Sequence, residues 1–129
     1  MATIYLETSV NLPADQLWQK VADVGGISNL LDIIMESSCE GDTRTCVTAD
    51  GGKLKETILG IDHQNRRVAY TITESPFGLQ FHAASMQVLD QGNGKSSLRW
   101  ITDIKPDAAA DMMGPIFKGE LEKVAKKYG

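Results

Sequence analysis

Two residues near the middle of the chain, Glu56 and His82, carry side chains that could exchange protons with a bound molecule. Each lies in a run of alternating apolar and polar residues, and each falls on the apolar side of its run. Apolar surroundings destabilise a charged carboxylate and raise its pKa toward the range of acid/base catalysis. An imidazole titrates near neutral pH with little further tuning. The alternatives are a carboxylate satisfied by hydrogen bonds and a histidine that is satisfied or lies at the rim.

The other reactive residue types do not form a recognisable site. His63 lies in a polar turn without a second ligand at metal spacing, and Cys39 and Cys46 lack the further partners of a zinc site. A two-residue loop at Asp42 and Thr43 would place the two cysteines opposite each other. We interpret them as reduced, buried thiols, with a redox pair or soft-metal site as the alternative. No phosphate-binding glycine loop or nucleophile elbow occurs. We therefore predict no metal and no cofactor.

The length and charge of the chain limit its organisation and its partners. With 129 residues we expect a single domain over residues 1–129. The formal net charge of -4 disfavours nucleic acid or an anionic membrane as the main partner. No apolar run approaches the ~20 residues of a membrane-spanning helix, so we predict a cytoplasmic protein without stable membrane insertion. The oligomeric state stays open.

The pattern of apolar residues predicts one strand, two short helices and then six strands. Apolar residues alternate from Ile4 to Leu12, Pro13 opens a helix, and two glycines end it. A second short helix follows at about residues 27–31. Turn residues at intervals of about ten then separate β-rich runs. These runs cover approximately residues 33–40, 44–49, 53–61, 66–74, 80–89 and 96–104.

The last part of the chain has the period of an amphipathic helix. Apolar residues recur three and four positions apart after Pro106, and Pro115 requires either a helix start near Gly114 or a kink. Only this helix is long enough to cover the predicted sheet. We therefore predict an α+β fold in which a curved antiparallel sheet of seven strands wraps around the helix. Side chains alone would not fill such a sheet, so a cavity should remain.

Several segments resemble a known family. They are LPADQLWQKVADVGG, GGKLKETILGID, HAASMQV and SSLRWITDIKP. Their order and spacing resemble the START-like, birch-pollen-allergen-like superfamily with the helix-grip fold, in its polyketide cyclase/dehydrase-like (SRPBCC) branch. The resemblance covers nearly the whole chain. It implies a START-like ligand-binding domain whose hydrophobic cavity takes lipids, hormones, polyketides or other aromatic compounds, with catalysis in only some members.

The resemblance also assigns positions to particular residues. Glu56 falls where the family often has a cavity carboxylate, His82 where many relatives have an inward tyrosine, and Trp100 at the tryptophan of the last strand. A second tryptophan, often found after the glycine turn, is replaced here by Leu30 and Leu31.

We predict that the protein binds or carries a small hydrophobic or aromatic molecule, lipid-like or polyketide-like, in an internal cavity. One alternative is a cyclase, dehydratase or isomerase with Glu56 and His82 as its acid/base groups. Another is a module that docks a second protein. The predicted ligand contacts are Glu56, Ile58, Tyr70, Ile72, His82, Ala84, Met86, Trp100, Thr102, Met113 and Phe117.

Overall fold

The computed structural model describes residues 1–129 as one seven-stranded antiparallel sheet with three α-helices. The strands are β1 (Ala2–Val10), β2 (Ile34–Glu40), β3 (Thr43–Thr48), β4 (Lys53–Asp62), β5 (Arg67–Glu74), β6 (Phe81–Gly92) and β7 (Lys95–Lys105). The helices are α1 (Ala14–Ala22), α2 (Ile27–Leu30) and α3 (Asp107–Lys127), with a 3₁₀ turn at Val24–Gly26. The predicted α+β helix-grip architecture is confirmed. No helix combines the length and apolar character needed to cross a bilayer.

The strand order β1-β7-β6-β5-β4-β3-β2 places the first strand beside the last. α1 and α2 carry the chain from β1 at one edge to β2 at the other, and the remaining strands return as a meander. The register of β2 against β3 shifts between Ile34 and Glu36. α3 packs against β1 and β7, so the concave face of the sheet partly encloses it.

The concave face carries the core because alternate residues of each strand point toward the helices. On β1 the buried positions Ile4 and Val10 belong to the predicted apolar set, whereas Tyr5 is exposed. α1 contacts β5, β6 and β7, and its Leu17 is fully buried there together with Leu98 of β7. The apolar stripe of α1 therefore fills one part of the concave face.

The terminal helix passes through its proline. Of the two predicted alternatives, the helix start near Gly114 does not occur, because α3 runs from Asp107 to Lys127 with Pro115 inside it. Pro115 has no N–H for the Asp111 carbonyl, but it lies on the exposed side of the helix, where that carbonyl remains within reach of solvent. The proline therefore does not end the helix.

The hairpin between β2 and β3 turns one residue earlier than predicted. Its loop is Gly41 and Asp42, and Gly41 adopts the positive φ that such a turn favours. Cys39 consequently lies opposite Arg44, so the expectation that Cys39 and Cys46 face each other is wrong. Both cysteines are free.

Candidate functional site

A cavity of about 270 Å³ lies between the sheet, α3 and the segment that follows α2. Of the 19 residues that line it, 14 are hydrophobic, so the body of any occupant must be largely apolar. The lining residues are Ile27, Leu31, Ile33, Ile34, Arg44, Cys46, Thr48, Asp50, Leu54, Glu56, Tyr70, Ile72, Phe77, His82, Trp100, Met112, Met113, Ile116 and Phe117.

The mouth of the cavity lies where lining residues are also exposed to solvent. Met112 and Ile116 of α3 both line the cavity and are 50% and 43% exposed. Asp50, in the loop between β3 and β4, is likewise an exposed lining residue. The Asp50 carboxylate accepts hydrogen bonds from the Thr48 hydroxyl and the Gly52 N–H, which lower its pKa. The mouth therefore combines an apolar helix face with one anionic side chain.

The cavity brings together seven of the eleven predicted ligand contacts. These are Glu56, Tyr70, Ile72, His82, Trp100, Met113 and Phe117. Ile58, Ala84, Met86 and Thr102 are buried but do not line it. Ile58, Ala84 and Met86 belong to the hydrophobic cluster that α1 joins, so neighbouring side chains cover them.

A buried ion pair between β3 and β4 forms part of the cavity wall. Arg44 and Glu56 lie directly opposite each other in the antiparallel register, and Arg44 Nε donates to Glu56 Oε1 at 2.6 Å. Arg44 Nη1 donates to the Val24 carbonyl at 3.2 Å, and the guanidinium lies 4.8 Å from the centre of the Tyr70 ring. Desolvation lowers the pKa of Arg44, but the charge of Glu56, Tyr70 and the hydrogen bond to Glu56 together raise it above its ordinary value. Arg44 therefore stays charged.

Sequence reasoning missed Arg44. The sequence left two readings of Glu56 open, and the ion pair with Arg44 favours the carboxylate satisfied by hydrogen bonds over the uncompensated one. An arginine in a strand usually suggests a solvent-facing position. The register between β3 and β4 could have revealed the pair. When the two strands pair around the loop at residues 49–52, position 44 lies opposite position 56.

His82 is held as a neutral hydrogen-bond donor. Its Nδ1 accepts a hydrogen bond from the Ile72 N–H at 2.9 Å, which assigns the proton of the neutral ring to Nε2. Desolvation by burial lowers the pKa of His82 from 6.5 to about 4. This contradicts the expectation that His82 relays protons near neutral pH. Nε2 makes no hydrogen bond within the chain, and the His82 side chain lines the cavity.

Three aromatic rings form one side of the cavity. The Trp100 indole stacks on Phe117 of α3, with ring centres 4.2 Å apart. Its Nε1–H donates to the Tyr70 hydroxyl oxygen at 2.9 Å, and the Tyr70 ring lies 5.7 Å from that of His82. Burial raises the pKa of Tyr70, so the phenol keeps its proton as a second donor.

Cys46 extends the polar part of the wall without adding a nucleophile. Its thiol lies 3.6 Å from Glu56 Oε1, and burial together with the Glu56 charge raises its pKa to about 12. A thiol with so high a pKa stays protonated at neutral pH and is unreactive. No cluster of three potential metal ligands occurs in the chain.

The fold and the site together define a helix-grip protein with a mostly apolar internal cavity, in which a few convergent polar groups surround a buried ion pair. The chain matches the family model described as "Polyketide cyclase / dehydrase and lipid transport" over residues 1–128, and it belongs to that family. This confirms the resemblance seen in the sequence. No curated protein matches the chain.

Solved structures share the fold at low sequence identity. XoxI from Bacillus cereus is 19% identical with a TM-score of 0.93, covering 99% of this chain and 96% of that one. Norcoclaurine synthase from Thalictrum flavum, in complex with dopamine and hydroxybenzaldehyde, is 17% identical with a TM-score of 0.71, covering 99% and 88%. The di-domain ARO/CYC BexL from the BE-7585A biosynthetic pathway is 14% identical with a TM-score of 0.81, covering 98% and 46%. These likenesses concern the fold alone.

Proposed function

We propose that the protein binds a compact hydrophobic or aromatic molecule in the cavity between the sheet and α3. The observation that carries this proposal is the apolar cavity itself, bounded on one side by the stacked Trp100 and Phe117 rings. Its volume of about 270 Å³ is just below the range of about 300–1,000 Å³ that is usual for small-molecule sites. This size favours one ring or two fused rings over a long acyl chain.

The polar groups of the wall suit an occupant with at least one oxygen atom. The Tyr70 hydroxyl and the His82 Nε2–H are both donors, and their rings lie side by side in the wall. A carbonyl or hydroxyl oxygen between them would satisfy both donors in place of water. Ile72 and Met113 would contact the apolar body of the molecule. The norcoclaurine synthase complex holds two compact aromatic molecules in a protein of the same fold, which supports an occupant of this size.

The enzyme alternative finds less support in the site. Glu56 and His82 do line the same cavity, but the acid/base roles require each to change protonation easily. Glu56 is held by Arg44, and the only acceptor nitrogen of His82 already binds the Ile72 N–H. His82 is therefore better arranged to donate its N–H to an oxygen atom than to accept a proton, and Glu56 is held in its ion pair. The docking-module alternative assumed a filled interior, which the cavity does not support.

The experiment compares a variant that fills the cavity with one that adds the same group outside it. Ile72→Phe places a larger side chain in the wall, whereas Leu59→Phe makes a similar addition at a position that is 60% exposed. Native mass spectrometry of the purified protein and thermal shift with neutral one-ring and two-ring aromatic compounds identify binders. I72F should weaken binding at least about tenfold, and L59F should leave it unchanged.

Two results would count against the proposal. One is the absence of both a co-purified molecule and any stabilising compound in correctly folded protein. The other is equal binding by I72F and L59F, because the added ring at position 72 would take up space that an occupant of the cavity needs.

A further inference from the structure

We propose that the Arg44–Glu56 ion pair acts as a charge filter, meaning that it makes the cavity selective for uncharged molecules. This inference rests on the proposed function and specifies the ligand class of the same site. It assigns Arg44 and Glu56 a role in specificity, in place of the acid/base role expected of Glu56.

The charge of Arg44 is compensated within the protein by Glu56, and two of its five N–H donors bond there. Nε binds Glu56, Nη1 binds the Val24 carbonyl, and the face of the guanidinium lies over the Tyr70 ring. Arg44 is 3% exposed and Glu56 is 5% exposed, so little water screens the pair. A ligand carboxylate would have to compete with a glutamate already fixed opposite Arg44 by the strand register.

No other cation lines the cavity. Its charged lining residues are Arg44, Glu56 and Asp50, and the depressed pKa of His82 keeps that ring neutral near pH 7. The charges of Arg44 and Glu56 cancel, and Asp50 adds a negative charge at the mouth. An anion would therefore approach an anionic mouth and then enter an interior without an available positive charge.

The cost of entry depends on the charge of the ligand. A carboxylate or an ammonium group would lose its hydration inside the cavity without gaining a full counter-charge, because each member of the ion pair already holds the other. A ketone or phenol loses far less hydration, and the Tyr70 and His82 donors replace it. Uncharged oxygen-bearing molecules should therefore bind best.

Three probes of nearly the same shape test the filter. They are 2-acetonaphthone, 2-naphthoate and 1-(2-naphthyl)ethylamine, which are neutral, anionic and cationic near neutral pH. Isothermal titration of the wild-type protein should give the ketone at least about a tenfold lower Kd than either charged probe. A charged probe that binds as tightly as the ketone would overturn the filter and leave the proposed function standing. If none of the three binds, the proposed function and the filter both fail.

Two glutamine variants then locate the cause. Glu56→Gln removes the partner of Arg44 while keeping the shape of the side chain, so the preference should reverse in favour of 2-naphthoate. Glu120→Gln is the matched control, because Glu120 is also buried, binds the Ile33 N–H and Lys123, and does not line the cavity. E120Q should keep the wild-type order of the three probes.

Because E56Q leaves a buried charge unpaired, it could be much less stable than the wild type. Its preference is then measured by thermal unfolding with saturating probe, where 2-naphthoate should raise the Tm more than the ketone does. An E56Q protein that retains the wild-type order in either measurement would overturn the filter, as would an E120Q protein that loses that order.

Discussion

Two regions of the concave face differ in how completely side chains fill them, although the strands present alternate residues to both. In the packed region, beneath α1, Leu17, Val88 and Leu98 are fully buried and do not line the cavity. In the cavity region, between strands β2 to β7 and the first half of α3, the inward side chains leave about 270 Å³. Strand alternation selects which residues face inward, but the covering helix decides whether the space between them is filled. α2, with four residues, covers far less than the nine-residue α1.

The largest expected effect is the loss of stability when a leucine is truncated in the packed region, which should exceed the loss in the cavity region. Leu98→Ala in the packed region should lower the free energy of unfolding by about 4 kcal/mol, because it creates a cavity among fully buried neighbours. Leu54→Ala in the cavity region should cost about 2 kcal/mol, because Leu54 already borders empty space. Urea unfolding of the wild type and of both variants measures the two losses of stability. Equal losses would remove the distinction between the regions.

The next effect is a pH dependence that only the cavity region should produce. The pKa of His82 falls from 6.5 to about 4 on folding, so the folded state binds fewer protons between these values. The stabilising contribution is complete above pH 6.5 and is lost as the pH falls toward about 4. At about 1.4 kcal/mol per pKa unit, the loss reaches roughly 3 kcal/mol.

His82→Asn isolates this contribution, because the asparagine carbonyl could still accept the Ile72 N–H but does not titrate. Denaturant unfolding across this pH range gives the free energy of unfolding of the wild type and of H82N. The difference between the two curves is the contribution of His82, because titrating groups that both proteins share contribute equally to each. Parallel pH profiles would show that burial of His82 does not depress its pKa.

The smallest effect concerns the hydrogen bond between Tyr70 and Trp100. Tyr70→Phe leaves the Trp100 Nε1–H without its acceptor in the cavity wall and should cost about 1 kcal/mol. Tyr5→Phe, on the exposed face of β1, is the control and should change stability by less than about 0.5 kcal/mol. The same pair should differ in binding 2-acetonaphthone, with only Y70F weakened. Equal behaviour of Y70F and Y5F would remove Tyr70 from the site.

The fold was predictable because its signals are local. Period-two alternation identified the strands within a few residues of their ends, and the spacing of Phe117, Leu121 and Val124 identified α3. Pro115 left two predictions open, a start near Gly114 or a kink, since its effect depends on whether that side of the helix meets solvent. Exposure is a property of the assembled fold, so the residue type alone could not settle it.

The site was less predictable because it depends on pairing between strands. Glu56 and His82 were placed correctly on the inward side, but their chemistry was not, because Arg44 and the Ile72 N–H contact them across the sheet. The turn at Gly41 came one residue earlier than expected, which shifted the pairing by two residues and gave Cys39 the partner Arg44 instead of Cys46. Such cross-strand partners set protonation and charge, and a pattern read along one strand does not contain them.

The strand order also bears on self-association. β2 ends the sheet, and an unpaired strand edge invites the edge of another molecule, which is a common route to aggregation. Here the shift between Ile34 and Glu36 interrupts the regular edge, and Glu36 and Glu40 are both exposed along it. Antiparallel association of two β2 edges would bring the four carboxylates of two molecules together. The register shift and the two glutamates of β2 therefore oppose the edge-to-edge association of sheets that leads to fibres.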